Sequence, residues 1–410
     1  MKILFVHQNF PGQYRHLARH LGSMPGHEVV FITQREDSSL PGVMKLVYKP
    51  ARKPADNVHP HLHDVEAGIV NGQAVAQAAL KLKASGFVPD IVVGHNGWGE
   101  IWYIKDVWPH VPLVGYFEYF HRVHGTHVGF APGEQVGFDE GPRLRTRNLG
   151  NLLGLDAVDV GLCPTAWQKA LYPAEYQSKL QLVHDGIDTD AVRPDPLVRV
   201  MLDDAGVELT AADEVVTYVS RHLEPLRGFQ SFMRSLPKIL AERPRAHVIV
   251  LGGDGVSYGA PAPGGKTWRE VMMAELGDAI DPSRVHFLGQ LPYSSFVWVL
   301  QLSSVHVYLT YPFVLSWSML EAMSAGCLVV GSATAPVQEV IRDGENGLLV
   351  DIFSPQQIAE RVVEVLADRP RFAPLREAAR RTIVERYDLR RVCLPAQLRL
   401  LEDAMRGRAG

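Results

Sequence analysis

Cysteine is scarce and long apolar runs are missing, and both absences narrow what this chain can be. Cys163, Cys327 and Cys393 are the only cysteines in 410 residues. They lie far apart and are odd in number, so they build neither a disulfide framework nor a zinc spacing. A reducing, cytoplasmic setting is expected. No stretch approaches the roughly 18 apolar residues that a spanning helix needs. The opening Met1–Gln8 turns polar after Ile3-Leu4-Phe5-Val6, too short a run for a secretory core. A soluble protein is expected, with peripheral contact with a membrane surface left open. Charge of one sign is lacking too: the formal net charge is -4, which gives no field to recruit nucleic acid.

What is present is ordinary globular composition, 46% apolar and 21% charged residues. The length exceeds one core and suits two domains of roughly 200 residues each. Short apolar runs alternate with stretches of helical period, the pattern of βα units around a parallel sheet. In the first half, strands are expected at Lys2–His7, Glu28–Thr33, Lys45–Tyr48, Asp90–His95, Pro112–Tyr119, Val160–Pro164 and Leu180–His184. Helices fit at Tyr14–Leu21, Val65–Lys83 and Arg143–Leu155. The chain turns irregular over Thr189–Ala212, and the rhythm then restarts. Further strands are expected at Val215–Ser220, His247–Gly252, Val285–Leu288, Val305–Thr310, Leu328–Ser332 and Gly347–Val350. The fold class is therefore α/β, two doubly wound Rossmann-like domains facing a central cleft, with ligands outside the C-terminal strand ends. The boundary falls near 190–212, giving domains 1–195 and 196–390. Pro370–Arg408 reads as arginine-rich helices, and 391–410 as a terminal helix packing back on the first domain. Glu377, Glu385 and Glu402 interrupt its basic run, which favours a solvated face over a lipid-binding one.

Two phosphate-loop lookalikes fail. Gly264-Gly265-Lys266-Thr267 resembles the end of a Walker A loop, but its opening glycine is replaced by Ala260. Gly253-Asp254-Gly255 follows a strand, yet the third glycine of a dinucleotide fingerprint is Tyr258, so a nicotinamide oxidoreductase is a weak rival. Histidines cluster at His59, His61 and His63 and at His121, His124 and His127. Neither group has helical ligand spacing or a carboxylate partner, so polar loop histidines are expected and no metal.

Several signals instead hold together in one order. Ser220-Arg221-His222-Leu223-Glu224-Pro225-Leu226-Arg227-Gly228 follows the first strand of the second half, placing two guanidinium forks in a strand-end loop. Tyr311–Gly326 follows the fourth, and a helix beginning near Ser316–Ser318 would aim its amides at an anion. Glu321 then lies one turn inside, where a carboxylate can accept two ribose hydroxyls. Pro336–Val350 and His184-Asp185-Gly186-Ile187-Asp188 complete the set.

With these segments the chain resembles glycosyltransferase family 4, the retaining nucleotide-sugar transferases of the GT-B fold. The resemblance is strong over Val215–Asp351 and weaker over the first half, where His7-Gln8-Asn9-Phe10-Pro11-Gly12-Gln13 looks like the family's first strand and glycine loop. It implies transfer of a hexose-type sugar from a nucleotide-diphosphate donor, UDP by default, to an unidentified saccharide, lipid or natural product. The donor is a substrate, so no cofactor is implied, and the family does not depend on a metal. Arg221 and Arg227 match the pair that neutralises the diphosphate, Glu321 the ribose carboxylate, and Ser316 and Trp317 the amides that meet phosphate. Gly12 matches the loop that lets the donor approach, and Gly289 the site where main chain wraps the base. Gln13, Tyr14, Trp98, Glu118 and His121 are assigned to the acceptor side. Two positions depart from the family. Phe313 stands where a glutamate usually touches the transferred sugar, and Glu118 stands for a usual catalytic histidine, with His121 nearby to take that role. An epimerase, a phosphorylase or a nucleotide-sugar-binding protein without turnover are the rivals on the same fold.

Overall fold

Unbroken apolar runs make strands that need cover on both faces, and helices between successive strands provide it. The computed structural model describes residues 1–202 and 206–407. The first sheet has seven strands: β1 (Lys2–Val6), β2 (Glu28–Thr33), β3 (Val43–Val47), β4 (Ile91–His95), β5 (Leu113–Tyr116), β6 (Val160–Cys163) and β7 (Leu180–Leu182). Its order is β3-β2-β1-β4-β5-β6-β7, parallel throughout. A two-stranded antiparallel hairpin follows, β8 (Arg199–Leu202) and β9 (Val207–Thr210). The second sheet has β10 (Val215–His222), β11 (His247–Gly253), β12 (Val285–Gly289), β13 (Val305–Tyr308), β14 (Leu328–Ser332) and β15 (Leu348–Val350). These are also parallel, in the order β12-β11-β10-β13-β14-β15. Both orders reverse beside the first strand, which is the doubly wound plan.

The chain divides into two units. One holds Met1–Gly129, Glu134–Gly186 and the chain from Leu389 onward; the other holds Phe130–Gly133 and Ile187–Asp388. The crossing at Gly186–Ile187 precedes the boundary expected at 190–212. The reason is local: the Ile187 amide donates to the Tyr387 carbonyl at 2.8 Å, and its side chain is buried beside Val192 and Met319 in the second unit. The stretch read as irregular contains the β8–β9 hairpin. Val198, Leu202 and Leu209 bury against Val215, Ile249, Leu251, Val299 and Leu302.

Two further expectations change, and the helical tail is as expected. The strand expected over Pro112–Tyr119 ends at Tyr116, so Glu118 lies beyond it. The helix expected over Arg143–Leu155 is two, Glu140–Arg147 and Leu149–Ala157. Asn148 separates them, its side chain accepting from the His121 amide at 2.9 Å and donating to the His121 carbonyl at 2.8 Å. The tail forms helices Ala373–Arg386 and Leu394–Met405 around a π-turn at Leu389–Cys393, and Arg408 lies outside the described residues.

The helix Leu394–Met405 lays Leu400, Leu401 and Ala404 into the first unit's core beside Phe5, Tyr14, Leu17 and Leu21. Removing a buried leucine costs about 2–5 kcal/mol through lost transfer energy and the cavity left behind. Leu401→Ala should therefore lower the urea midpoint of unfolding of the first unit; an unchanged midpoint would show that this helix contributes nothing to that core.

Candidate functional site

In each sheet the strand order reverses between two neighbours, β1 and β4 in the first unit and β10 and β13 in the second. Strands buried on both faces leave little room for polar groups to meet a ligand inside the sheet, so ligands are met past their C-terminal ends at that reversal.

In the second unit, Arg227 spans the reversal. It ends the 3₁₀ turn Pro225–Arg227 that follows β10. Its Nη1 donates to the Thr310 hydroxyl at 2.8 Å, the Val314 carbonyl at 3.0 Å and the Tyr308 hydroxyl at 3.4 Å, all on the segment after β13 or at its end. Nε and Nη2 keep no partner among the described residues. Gly228 follows at φ +66°, where a Cβ would sit 2.6 Å from the Leu309 side chain, so only glycine lets the turn close here. Arg227 was expected in an open loop. It is instead 7% exposed, with Nη1 bonded to groups at and beyond the end of β13 and two aromatic rings beside the guanidinium. Arg221 is the exposed member of the pair, the residue before the last in β10.

Glu321 is buried on the helix Trp317–Ser324, and the Tyr293 hydroxyl donates to its Oε1 at 2.7 Å. A plain surface charge is thereby excluded. The helix begins as expected, but the Ser316 amide donates to the Tyr308 hydroxyl at 2.8 Å. That amide is already engaged inside the protein. Trp317 is partly exposed at the first helical position. Gly289 closes β12 at φ +64°, and its neighbour Gln290 reaches the Arg221 carbonyl at 3.4 Å.

Phe313 is 7% exposed. Its ring lies 4.8 Å from that of Tyr258, and the Arg227 guanidinium sits 5.8 Å from the Phe313 ring and 5.7 Å from the Tyr258 ring. Tyr258 belongs to the loop begun by Gly253-Asp254-Gly255. That loop serves Glu224, whose buried Oε2 accepts from the amides of Ser257, Tyr258 and Gly259 at 3.3, 3.1 and 3.0 Å. Thr267, the end of the rejected Walker-like run, caps the helix Trp268–Leu276 in a capping box with Glu270.

In the first unit, two histidines sit at the reversal. His7 follows β1 and His95 ends β4; both are fully buried, with rings 4.9 Å apart. The His7 Nδ1 accepts the Asn9 amide at 2.9 Å, so Nε2 carries the proton and donates to Gln13 Oε1 at 2.7 Å. Burial pulls its pKa down to about 4. Gly12 folds against this ring: a Cβ there would sit 2.7 Å from it, at φ +54°. His95 Nδ1 accepts the Gly97 amide at 2.9 Å, leaving Nε2–H as the other donor, 3.9 Å from Glu118 Oε2 and without a hydrogen-bond partner among the described residues. Burial first, then His7, holds its pKa well below the usual value. Trp98 and Tyr116 pack on the His95 ring, and the Tyr116 hydroxyl donates to Asp185 at 3.1 Å. Tyr14 is buried 5.9 Å from His7, ring to ring.

Gln13, Tyr14, Trp98 and Glu118 are thus brought around His7 and His95. His121 is not among them. It packs on Tyr119, and burial followed by the Arg147 charge drives its pKa to about 3. Among the described residues no group of three His, Cys, Asp or Glu side chains has a geometry to hold a metal ion. His59 and His61 pair with each other, the first accepting the amide of the second. Sequence reasoning passed over His95, Asp185, Glu224 and Tyr258. For His95 the signal was there: one polar side chain closing an otherwise apolar strand, Ile91-Val92-Val93-Gly94-His95.

Comparison with known proteins agrees with the two-unit plan. Residues 25–192 match the model of the Glycosyl transferase family 4 group, and residues 213–368 that of Glycosyl transferases group 1. A D-inositol 3-phosphate glycosyltransferase of Corynebacterium efficiens is 25% identical over 85% of this chain and 84% of its own length. Its counterpart in Corynebacterium aurimucosum is 24% identical over 71% of this chain, which spans 66% of that relative's length, just under two thirds. A GDP-mannose-dependent phosphatidylinositol monomannoside mannosyltransferase of Mycobacterium tuberculosis is 22% identical over 62% of this chain and 64% of its own. Among solved structures, a sucrose-phosphate synthase from Thermosynechococcus elongatus shares the fold with a TM-score of 0.74 at 17% identity, covering 98% of this chain and all of that one (100%). Anabaena Alr3699/HepE, solved with UDP and glucose, does so at 0.66 and 17% identity, covering 97% and 98%. Family models on both halves and GT-B neighbours over nearly the whole length lead to one statement: the chain belongs to the glycosyltransferases of family 4, with the GT-B fold.

Proposed function

We propose that this glycosyltransferase takes its sugar from a nucleoside-diphosphate donor held by the second unit and passes it, with retention at the anomeric carbon, to an acceptor held by the first. The observation that carries the donor side is Arg227, a guanidinium locked at the strand reversal by Nη1 while Nε and Nη2 remain for an anion. As the bond from the anomeric carbon to the phosphate oxygen breaks, charge builds on the leaving diphosphate. Donors fixed in advance stabilise that charge without reorganising. Arg227 provides them, joined by the exposed Arg221. Glu321 offers a carboxylate for the ribose hydroxyls, with Tyr293 holding one of its oxygens. On the first unit, Glu118 over His95 and the neutral His7 form a hydrogen-bonding floor for sugar hydroxyls.

Uridine is our first choice of base. The relatives' names point both to GDP-mannose and to UDP with glucose, so the base is a matter for measurement. A donor present at 100 times its dissociation constant adds about 2.7 kcal/mol of stability. Thermal-shift titration with UDP, GDP and ADP and their sugars should give a rise with one base series; no rise with any would sink the donor reading.

Arg227 also decides what a mutant can tell. Arg227→Ala would remove the bonds to the buried Thr310 hydroxyl and the part-buried Val314 carbonyl, at about 1–3 kcal/mol of stability, so lost binding in that variant is ambiguous. Arg227→Lys keeps the charge but loses the fork. It should weaken diphosphate binding by roughly tenfold or more while remaining folded by circular dichroism. Unchanged affinity in a folded Arg227→Lys protein removes this residue from the phosphate site.

Arginines that neutralise the diphosphate replace the role of a cation, so turnover should survive excess EDTA. Loss of turnover that returns with Mg²⁺ or Mn²⁺ would overturn the metal-independent mechanism.

A further inference from the structure

We propose that Tyr258 is the specificity-determining contact for the donor sugar, and that Glu224 is the positioning residue that holds it there. This rests on the nucleotide-sugar reading of the second unit and extends it to residues outside the family pattern.

Phe313 replaces the glutamate expected to meet the transferred sugar, yet its ring is 7% exposed while Tyr258, tilted against it with ring centres 4.8 Å apart, is 45% exposed. Tyr258 therefore offers the larger accessible surface of this aromatic pair. It lies 5.7 Å from the Arg227 guanidinium, the group assigned to the diphosphate. A sugar joined to that diphosphate lies within one ring's breadth of Tyr258. An aromatic face accepts the C–H face of a sugar and holds no carboxylate for its hydroxyls. The class of donor it suits has an apolar face or a deoxy position on this side.

A tyrosine on a glycine-rich loop can select only if its backbone is fixed. Glu224 fixes it. The carboxylate is 1% exposed, and one oxygen draws in three consecutive amides centred on Tyr258. Charged acceptors bind backbone N–H groups about twice as strongly as neutral ones. A second latch lies beside it, His222 Nδ1 and the Ser257 hydroxyl at 2.6 Å. Glu224 sits three residues before Arg227 in the same turn. One short segment thus carries both the diphosphate group and the anchor of the sugar contact.

The test uses the full-length protein and calorimetric titration with UDP, GDP, UDP-glucose, GDP-mannose and the 6-deoxy donor GDP-fucose. For each base, the ratio of nucleotide-sugar affinity to diphosphate affinity isolates the sugar contact. Tyr258→Ala should reduce that ratio for the preferred donor by about three- to tenfold and narrow the difference between hexose and deoxyhexose. Tyr258→Phe should keep the wild-type ratio. Glu224→Gln, which keeps an oxygen but loses the charge, should move the ratio the same way as Tyr258→Ala. A wild-type ratio in Tyr258→Ala across the panel overturns the contact while leaving the donor reading standing. A wild-type ratio in Glu224→Gln at unchanged melting temperature overturns the positioning role. A wild type that binds none of the five ligands, nor ADP or ADP-glucose, sinks the donor reading and this inference together.

Discussion

A guanidinium taken out of water costs several kcal/mol unless its donors are met, and Arg227 meets that demand with Nη1 alone. Thr310 and the Val314 carbonyl hold that nitrogen, while Tyr308 uses its hydroxyl to touch Arg227 and accept the Ser316 amide. The same small set of groups therefore fixes the arginine and the start of the helix that bears Glu321. Tyr218 closes the circuit by donating to the Arg227 carbonyl at 2.7 Å. A parallel sheet makes this arrangement available, because β10 and β13 lie side by side and deliver both segments to one end.

The first unit meets the same topological constraint with uncharged groups. Burial keeps His7 and His95 neutral, since protonation would put a charge where water does not reach it, and the Glu118 carboxylate stands 3.9 Å from His95 Nε2, beyond hydrogen-bond reach. The stability linked to a lowered histidine pKa is present above the unfolded value, roughly 6.5, and is lost as pH falls from there through the folded value, about 4 for His7. The division of labour is chemical. Neutral imidazoles and a tyrosine offer directional bonds suited to hydroxyls, whereas fixed positive charge suits a diphosphate. Gly12 belongs to the first arrangement through packing, since its missing Cβ makes room for the His7 ring.

Period and punctuation made the architecture legible. Every strand expected outside the irregular stretch is present, mostly within two residues of its expected ends, because strands covered on both faces leave continuous apolar runs. The β8–β9 hairpin was hidden because it lies in the irregular stretch Thr189–Ala212 just after Pro194 and Pro196, and its buried residues, Val198, Leu202 and Leu209, are too few to set a pattern. The break at Asn148 was hidden because its cause is tertiary, a pair of bonds to His121. Site residues divide the same way. Arg227, Glu321 and Gly12 lie in ordered motifs, but burial of Arg227 depends on Thr310 and Val314, more than 80 residues away. Glu224 and Tyr258, 34 residues apart, leave no local signal that one carboxylate fills a nest of the other's amides.

The exchange of a carboxylate for a ring at 313 changes more than a contact to sugar. A glutamate within reach of Arg227 would compete with phosphate for Nε and Nη2 and cancel part of the positive charge. An aromatic ring does neither. At 5.7 and 5.8 Å the faces of Tyr258 and Phe313 attract the cation weakly, and they take up no hydrogen-bond donor. They also exclude water from one side of the guanidinium, which strengthens its attraction for an anion on the other. On the proposed reading, such a site would hold its diphosphate by charge and its sugar by shape. Nε and Nη2 would then be available as the leaving phosphate develops its charge, which is the moment at which stabilisation accelerates transfer.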